Sequence, residues 1–215
     1  MIKEKNNLSD RSSDKYMTSE SVVRLALEES VKVQRNLLAK STGCAIDIAN
    51  LLIDRFRHGG ILYLIGNGGS AAEAQHIATE FIVRFKRKRD PLPAVALSSD
   101  SAVITALGND FDFKTIFSNQ VQALARPNDV IVALSTSGSS PNIVEAIRVA
   151  NKLGVTTVGF TGNHKGDLTR LANICLEVPS GDTQRIQEAH LIIWHIICDL
   201  VDLAFSGVKA TTANE

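Results

Sequence analysis

Cysteine is scarce in this sequence: Cys44, Cys175 and Cys198 are the only three, widely separated and without a Cys-x-x-Cys spacing. That excludes a disulfide framework and a cysteine-rich zinc cluster, and it fits small buried thiols in a reducing compartment. Net charge is lacking as well. The 23 basic side chains balance 23 acidic ones, so bulk electrostatics give a nucleic-acid partner no support. No apolar run reaches the ~18 residues of a membrane span. The opening MIKEKNNLSDRSSDKY has no apolar signal core. A cytoplasmic protein without membrane or nucleic-acid partners is therefore expected. No Gly-Lys-Ser/Thr completes a Walker loop, and no Gly-x-Gly-x-x-Gly marks a dinucleotide site. What is present is ordinary for a globular protein: 44% hydrophobic and 21% charged residues, in a 215-residue chain long enough for one large domain with a full core.

Hydrophobic spacing divides the chain into alternating elements. Residues 1–17 are polar and are expected to be disordered, as is a tail at 208–215, leaving 18–207 as a single domain. Apolar residues near helical spacing run from Val22 to Ile53, with a possible break at Ser41, Thr42 and Gly43. This early helical region precedes any strand. It either packs against another subunit or lies across its own domain. Strands are expected at Ile61–Ile65, Pro93–Leu97, Val130–Ser135, Val155–Phe160 and Ile174–Val178, with helices between the first four and the loop TGNHKGD, residues 161–167, ahead of the last. One of those helices should run from Phe113 to Ala125, and a long one from Thr183 to Phe205 should end the fold. Such alternation predicts a parallel sheet covered on both faces. Ligands then lie outside the carboxyl ends of the strands. The basic run Arg84, Lys86, Arg87, Lys88, Arg89 reads as a solvated helix end, or as a lid or subunit contact near an anionic ligand.

The organising stretch is ILYLIGNGGSAAEAQHIATEFIVRF, residues 61–85: a buried strand, a glycine turn, then a helix with Ser70 where an N-cap belongs. Free N–H groups at such a helix start suit an oxygen-rich anion. Ser135-Thr136-Ser137-Gly138-Ser139-Ser140 follows another strand, and Pro141 opens the next helix. Five hydroxyls in six residues at a helix start read as a phosphate cradle. His76 and Glu80, four apart, share a helix face and match either a two-ligand metal platform or an acid/base pair. Gln187 and His195 share a stripe on the last helix, which is otherwise apolar nearly all round. Each must find a polar partner there. Either pair alone fits a surface contact or a satisfied core histidine, whereas two helices offering such pairs point to one shared site.

The segments LIGNGGSAAEAQHIATEF, LSSDSAVITALGND, ALSTSGSSPNIVEAI and DTQRIQEAHLIIWHIICDLVD, in this order, resemble the phosphoheptose (sedoheptulose 7-phosphate) isomerase family within the sugar-isomerase (SIS) domain superfamily, over residues 20–205. The resemblance implies an α/β, flavodoxin-like three-layer sandwich with a central parallel sheet. It also implies a homotetramer with N-terminal helices between subunits. The implied activity converts D-sedoheptulose 7-phosphate to D-glycero-D-manno-heptose 7-phosphate, a precursor of surface glycans. Residue by residue, Asn67, Gly68, Gly69 and Ser70 match substrate-contacting turn residues. Ser135, Thr136, Ser137 and Ser140 match the phosphate loop, and Asn109 with Asp110 matches a pair that reaches the sugar. Glu80 and His195 correspond to base and acid, with Glu80 and Gln187 also among the substrate contacts. His76, Glu80, Gln187 and His195 match ligands of a zinc ion, one per subunit. Glu80 and His195 thus carry two assignments. Gln184 stands where some members carry Asp; Asp182 or Glu73 takes that role here, or it is absent. Two non-enzymatic alternatives share the fold. One is a binding protein that associates with the replication initiator, in a branch without the acid/base pair. The other is a sugar-phosphate sensor, usually joined to a DNA-binding domain that residues 1–17 are too short to hold.

Overall fold

Leu62–Gly66 forms β1, and its five residues are all buried, as befits a strand with helices on both faces. The computed structural model describes residues 18–207, so the expectations for 1–17 and 208–215 fall outside the described residues. Two helices precede the sheet: α1 (Ser19–Lys40) and α2 (Thr42–Arg57), which break at Ser41. After β1 come α3 (Gly69–Ile82), β2 (Ala94–Ala96), α4 (Ser101–Asp110), a 3-10 turn at Phe113–Thr115, and α5 (Ser118–Leu124). Then follow β3 (Val130–Leu134), α6 (Pro141–Lys152), β4 (Thr156–Thr161), α7 (Asp167–Leu171), β5 (Ile174–Glu177) and α8 (Thr183–Phe205).

All four strand pairings are parallel, in the order β2-β1-β3-β4-β5. Strand alternation splits the core into two layers. Leu62, Leu64, Val130 and Val132 face α1, α2, α3 and α8, and Tyr63, Ile65, Ile131 and Ala133 face α5, α6 and α7. Each fully buried aliphatic side chain contributes about 1.5–3 kcal/mol. The sole tryptophan, Trp194, is fully buried on α8. Its ring stacks on Phe160 at 4.9 Å and meets Phe81 edge-on at 6.4 Å, so α8, the sheet and α3 share one aromatic joint.

β1 pairs with β2 on one side and β3 on the other, so the winding reverses between β1 and β3. That is the switch point at which ligands enter open parallel sheets. Gly66 is in register with Leu134, which puts the glycine turn and the hydroxyl-rich loop side by side.

Two expectations need correction. The helix expected over Phe113–Ala125 is a 3-10 turn and then α5, because Asp112 caps the turn by accepting from the Lys114 N–H. The basic run is not a helix end: α3 stops at Ile82, and the Arg89 side chain is buried at 1% exposure against the fully buried Asp202 of α8.

Candidate active site

The turn after β1 needs its glycines. Gly68 has φ +54°, a conformation that side chains rarely adopt. A Cβ on Gly69 would sit 2.5 Å from Nε2 of Gln187, so only glycine lets α8 bring that amide against the start of α3. Asn67 and Asn142 exchange two amide hydrogen bonds of 2.9 and 2.8 Å. Asn142, buried in the first turn of α6, also accepts from the Ile143 N–H at 3.0 Å and welds the glycine turn to the hydroxyl-rich loop. Sequence reading passed over Asn142. Its one signal was a polar residue just after Pro141, at a position that proved buried.

In that loop Gly138 takes φ +65°, and its N–H donates to Ser135 Oγ at 3.2 Å. Ser140 makes no side-chain cap bond, so the loop hydroxyls and the Asn142 N–H in the first turn of α6 stay available to an anion. Thr136 and Ser137 lie in the same loop; the Ser137 hydroxyl accepts from the Ser139 N–H at 3.3 Å.

α3 and α8 converge at the chemical centre. His76 Nε2 lies 3.1 Å from His195 Nε2 and 3.5 Å from Glu80 Oε1. Ligand atoms of the three residues all fall within 4.8 Å of one another. Burial and then the adjacent His76 lower the pKa of His195, with Glu80 opposing; the neutral imidazole is favoured, the form that binds a metal or passes a proton. The His195 ring stacks on Phe85 at 5.2 Å. A cavity of about 360 Å³ lined by Gly69, Glu73, His76 and Gln187 adjoins the cluster. Glu73 is buried there with Oε1 unpartnered, and burial pushes its pKa up to about 8.

The donor set fits zinc. Zn–N bonds of about 2.0–2.1 Å put tetrahedral ligand atoms roughly 3.3 Å apart, and the 3.1 and 3.5 Å separations here need little adjustment. Two imidazole nitrogens this close also call for something between them, either a shared proton or a cation.

Other expected residues sit apart. Asn109 and Asp110 end α4, exposed and hydrogen-bonded to each other at 2.8 Å. Among the described residues no hydrogen bond joins them to the cluster or to the hydroxyl-rich loop. Asp182 is the N-cap of α8, its carboxylate accepting from the N–H groups of Gln184 and Arg185. Gln184 is exposed, and Ser70 is not the N-cap that the sequence suggested: Gly68 holds that place, and Ser70 is buried within the first turn of α3.

An open parallel sheet with a hydroxyl-rich helix start at its switch point defines a class, and residues 27–162 match the SIS domain family model. Among curated relatives, the phosphoheptose isomerase of Burkholderia pseudomallei (strain K96243) is 47% identical over 184 residues, 85% of this chain and 93% of that protein. That of Roseiflexus sp. (strain RS-1) is 45% identical over 176 residues, 82% of this chain and 89% of that protein. Among solved structures, a phosphoheptose isomerase from Francisella tularensis superposes with a TM-score of 0.84 at 35% identity, covering 86% of this chain and 99% of that one. The chain belongs to the phosphoheptose isomerase family of SIS-domain proteins.

Proposed function

We propose that this protein converts D-sedoheptulose 7-phosphate to D-glycero-D-manno-heptose 7-phosphate through an enediol(ate), the first step of heptose supply for surface glycans. The convergence of His76, Glu80 and His195 from α3 and α8 carries the reading. A non-catalytic relative has no use for a carboxylate and a neutral imidazole held together. The hydroxyl-rich loop anchors the phosphate, so binding energy spent far from the reacting carbons holds C1 and C2 in register. The Asn67–Gly69 turn meets the sugar, with Asn109 and Asp110 on its outer side. Glu80 takes a proton from C1 and returns it to C2. His195 moves the hydroxyl proton between O1 and O2, so the C2 carbonyl becomes a hydroxyl as the C1 aldehyde forms. Each acid/base role is worth roughly 10²–10⁴-fold.

His76, Glu80 and His195 would hold the zinc ion, with Gln187 reaching in from the cavity wall. Bound there, zinc supplies polarisation of the sugar oxygens and stabilises the intermediate's negative charge. Of the two Glu80 oxygens, Oε1 is the one nearest His76, at 3.5 Å.

The chain acts in the cytoplasm as a homotetramer; no helix among the described residues is long and apolar enough to cross a membrane. Exposed Val22, Val23, Leu25 and Leu27 on α1, and Leu38, Ile46, Ile192 and Ile196 around the α1–α2–α8 groove, form the self-association surface. Light scattering tests this.

The deciding experiment mixes purified protein with sedoheptulose 7-phosphate and follows aldose formation with and without chelator. Turnover that Glu80→Gln reduces about 10²–10⁴-fold supports the reading. No turnover with zinc present, or full turnover in the variant, overturns it.

A further inference from the structure

α3 and α8 do not simply cross at the site; the strap that follows α3, residues 83–90, locks them together. Asp202 lies seven residues, two helical turns, beyond His195, on the same face of α8. Its Oδ2 accepts the backbone N–H groups of Phe85, Lys86 and Arg87 at 3.2, 2.7 and 2.9 Å. Its Oδ1 accepts Arg89 Nε at 2.6 Å. The guanidinium then turns back to α3, donating to the carbonyl oxygens of Phe81 and Glu80, each at 2.8 Å. Those carbonyls, in the last turn of α3, have no partner within the helix, and a cation is favoured at that end of the helix dipole. One further turn-spaced residue, Asp199, holds Lys86 at 2.7 Å and Arg87. The strap so fixed lays Phe85 flat on the His195 ring, 5.2 Å between centroids and 20° between planes.

We infer that Asp202 and Arg89 are positioning residues for the isomerase centre: they pin the turn that carries Glu80 and hold Phe85 as the platform that orients the His195 imidazole. The pair is fully desolvated. An ion pair buried this way is weak evidence for added stability, since apolar residues of similar volume often serve as well. What apolar residues cannot do is accept three strap N–H groups, as the Asp202 carboxylate does, and donate to two helix carbonyls, as the Arg89 guanidinium does. Arginine's planar set of five donors meets that geometry, and lysine's point charge does not. Outer contacts that orient ligands typically change affinity or activity about 10–100-fold.

The inference rests on the reading of Glu80 and His195 given above, so its test has a readout independent of turnover. The Phe85 ring current shifts the His195 ring C–H resonances, which histidine-selective proton–carbon NMR reads in the whole protein. Arg89→Lys and Asp202→Asn alter neither ring chemically but release the strap that holds one against the other. They are expected to abolish that shift and lower zinc affinity about 10–100-fold, measured by titration of the metal alone. They lower kcat by a similar factor with KM for sedoheptulose 7-phosphate held within about twofold, because the phosphate loop lies elsewhere. Phe85→Leu, which leaves the buried pair intact, is expected to repeat the kcat and zinc losses at unchanged melting temperature, with Phe85→Tyr restoring both. A wild-type protein without the shifted resonance, or a folded Arg89→Lys that keeps shift and zinc affinity, overturns the inference. So does a Phe85→Leu variant with wild-type zinc affinity, which decides the matter where the charge variants do not fold. An inactive wild type that shows the shift and loses it in Arg89→Lys leaves the clamp standing and refutes only the isomerase reading.

Discussion

Gly69→Ala separates fold from function at a single methyl group. The added Cβ would lie 2.5 Å from Gln187 Nε2 and 3.1 Å from Cδ, well inside contact distance. The obstacle is the far end of a flexible side chain on α8, so the backbone stays and the amide retreats about 1 Å, a displacement that can cost up to 10²-fold when it moves a group that positions substrate. Stability moves little. Leaving its preferred rotamer costs Gln187 about 0.5–1.5 kcal/mol, while replacing glycine by alanine at the start of α3 returns up to about 1 kcal/mol of helix propensity. A net change within about 1 kcal/mol shifts the melting temperature by roughly 2–4 °C in a chain of this size. The expected result is a 10–100-fold fall in kcat/KM and weaker zinc binding with a near-native melting curve. Gly68→Ala is the counterpart. No atom lies within 4 Å of its Cβ, but φ is +54°, so backbone strain of about 1–3 kcal/mol lowers the melting temperature instead. Steady-state kinetics beside thermal unfolding reads both. A Gly69→Ala enzyme with native kcat/KM, or one that loses activity only by unfolding, refutes the reasoning.

Three other outcomes follow from the geometry. Trp194→Ala empties the joint between Phe160 and Phe81 and is expected to cost about 3–5 kcal/mol in denaturant unfolding. Asn67→Ala and Asn142→Ala are expected to be coupled, because each strips the other's two hydrogen bonds. A double-mutant cycle should return about 1–2 kcal/mol of interaction, and kinetics should show raised KM in each single variant. Glu73 keeps its proton in the fold up to about pH 8 but loses it near 4.5 when unfolded. The native state then binds more protons across that window, so wild-type stability falls as pH rises from about 4.5 to 8. Glu73→Gln should flatten that slope in urea titrations run across the window, and an unchanged slope rules out the buried neutral carboxyl.

How much was legible beforehand depended on how local each determinant is. The bounds of α8 follow from Asp182 as a cap and an unbroken apolar pattern to Phe205, both readable from neighbours in the chain. The break at Ser41 was visible for the same reason. The pairing of α3 with α8 was legible only as two stripes in need of partners; the 3.1 Å approach of His76 to His195 belongs to the packing around Trp194. The basic run was misread because its determining partner, Asp202, lies 113 residues beyond Arg89. A charged residue that nothing nearby neutralises looks solvated until the fold supplies its counter-ion. Asn142 escaped notice since an asparagine after Pro141 resembles any helix opening, and its value lies in a partner 75 residues away. The five-residue α7 was missed between the loop TGNHKGD, with which it shares only Asp167, and the last strand, because five residues are too few to display a period.

The placement of Trp194 gives the molecule a built-in optical gauge. A lone indole, sealed from water between two phenyl rings and one position before His195, should fluoresce at short wavelength while the fold holds and shift to the red when α8 comes away. A paramagnetic ion such as cobalt(II), seated on the adjoining imidazole, would quench that light, so occupancy of the centre can be followed without substrate, label or added dye.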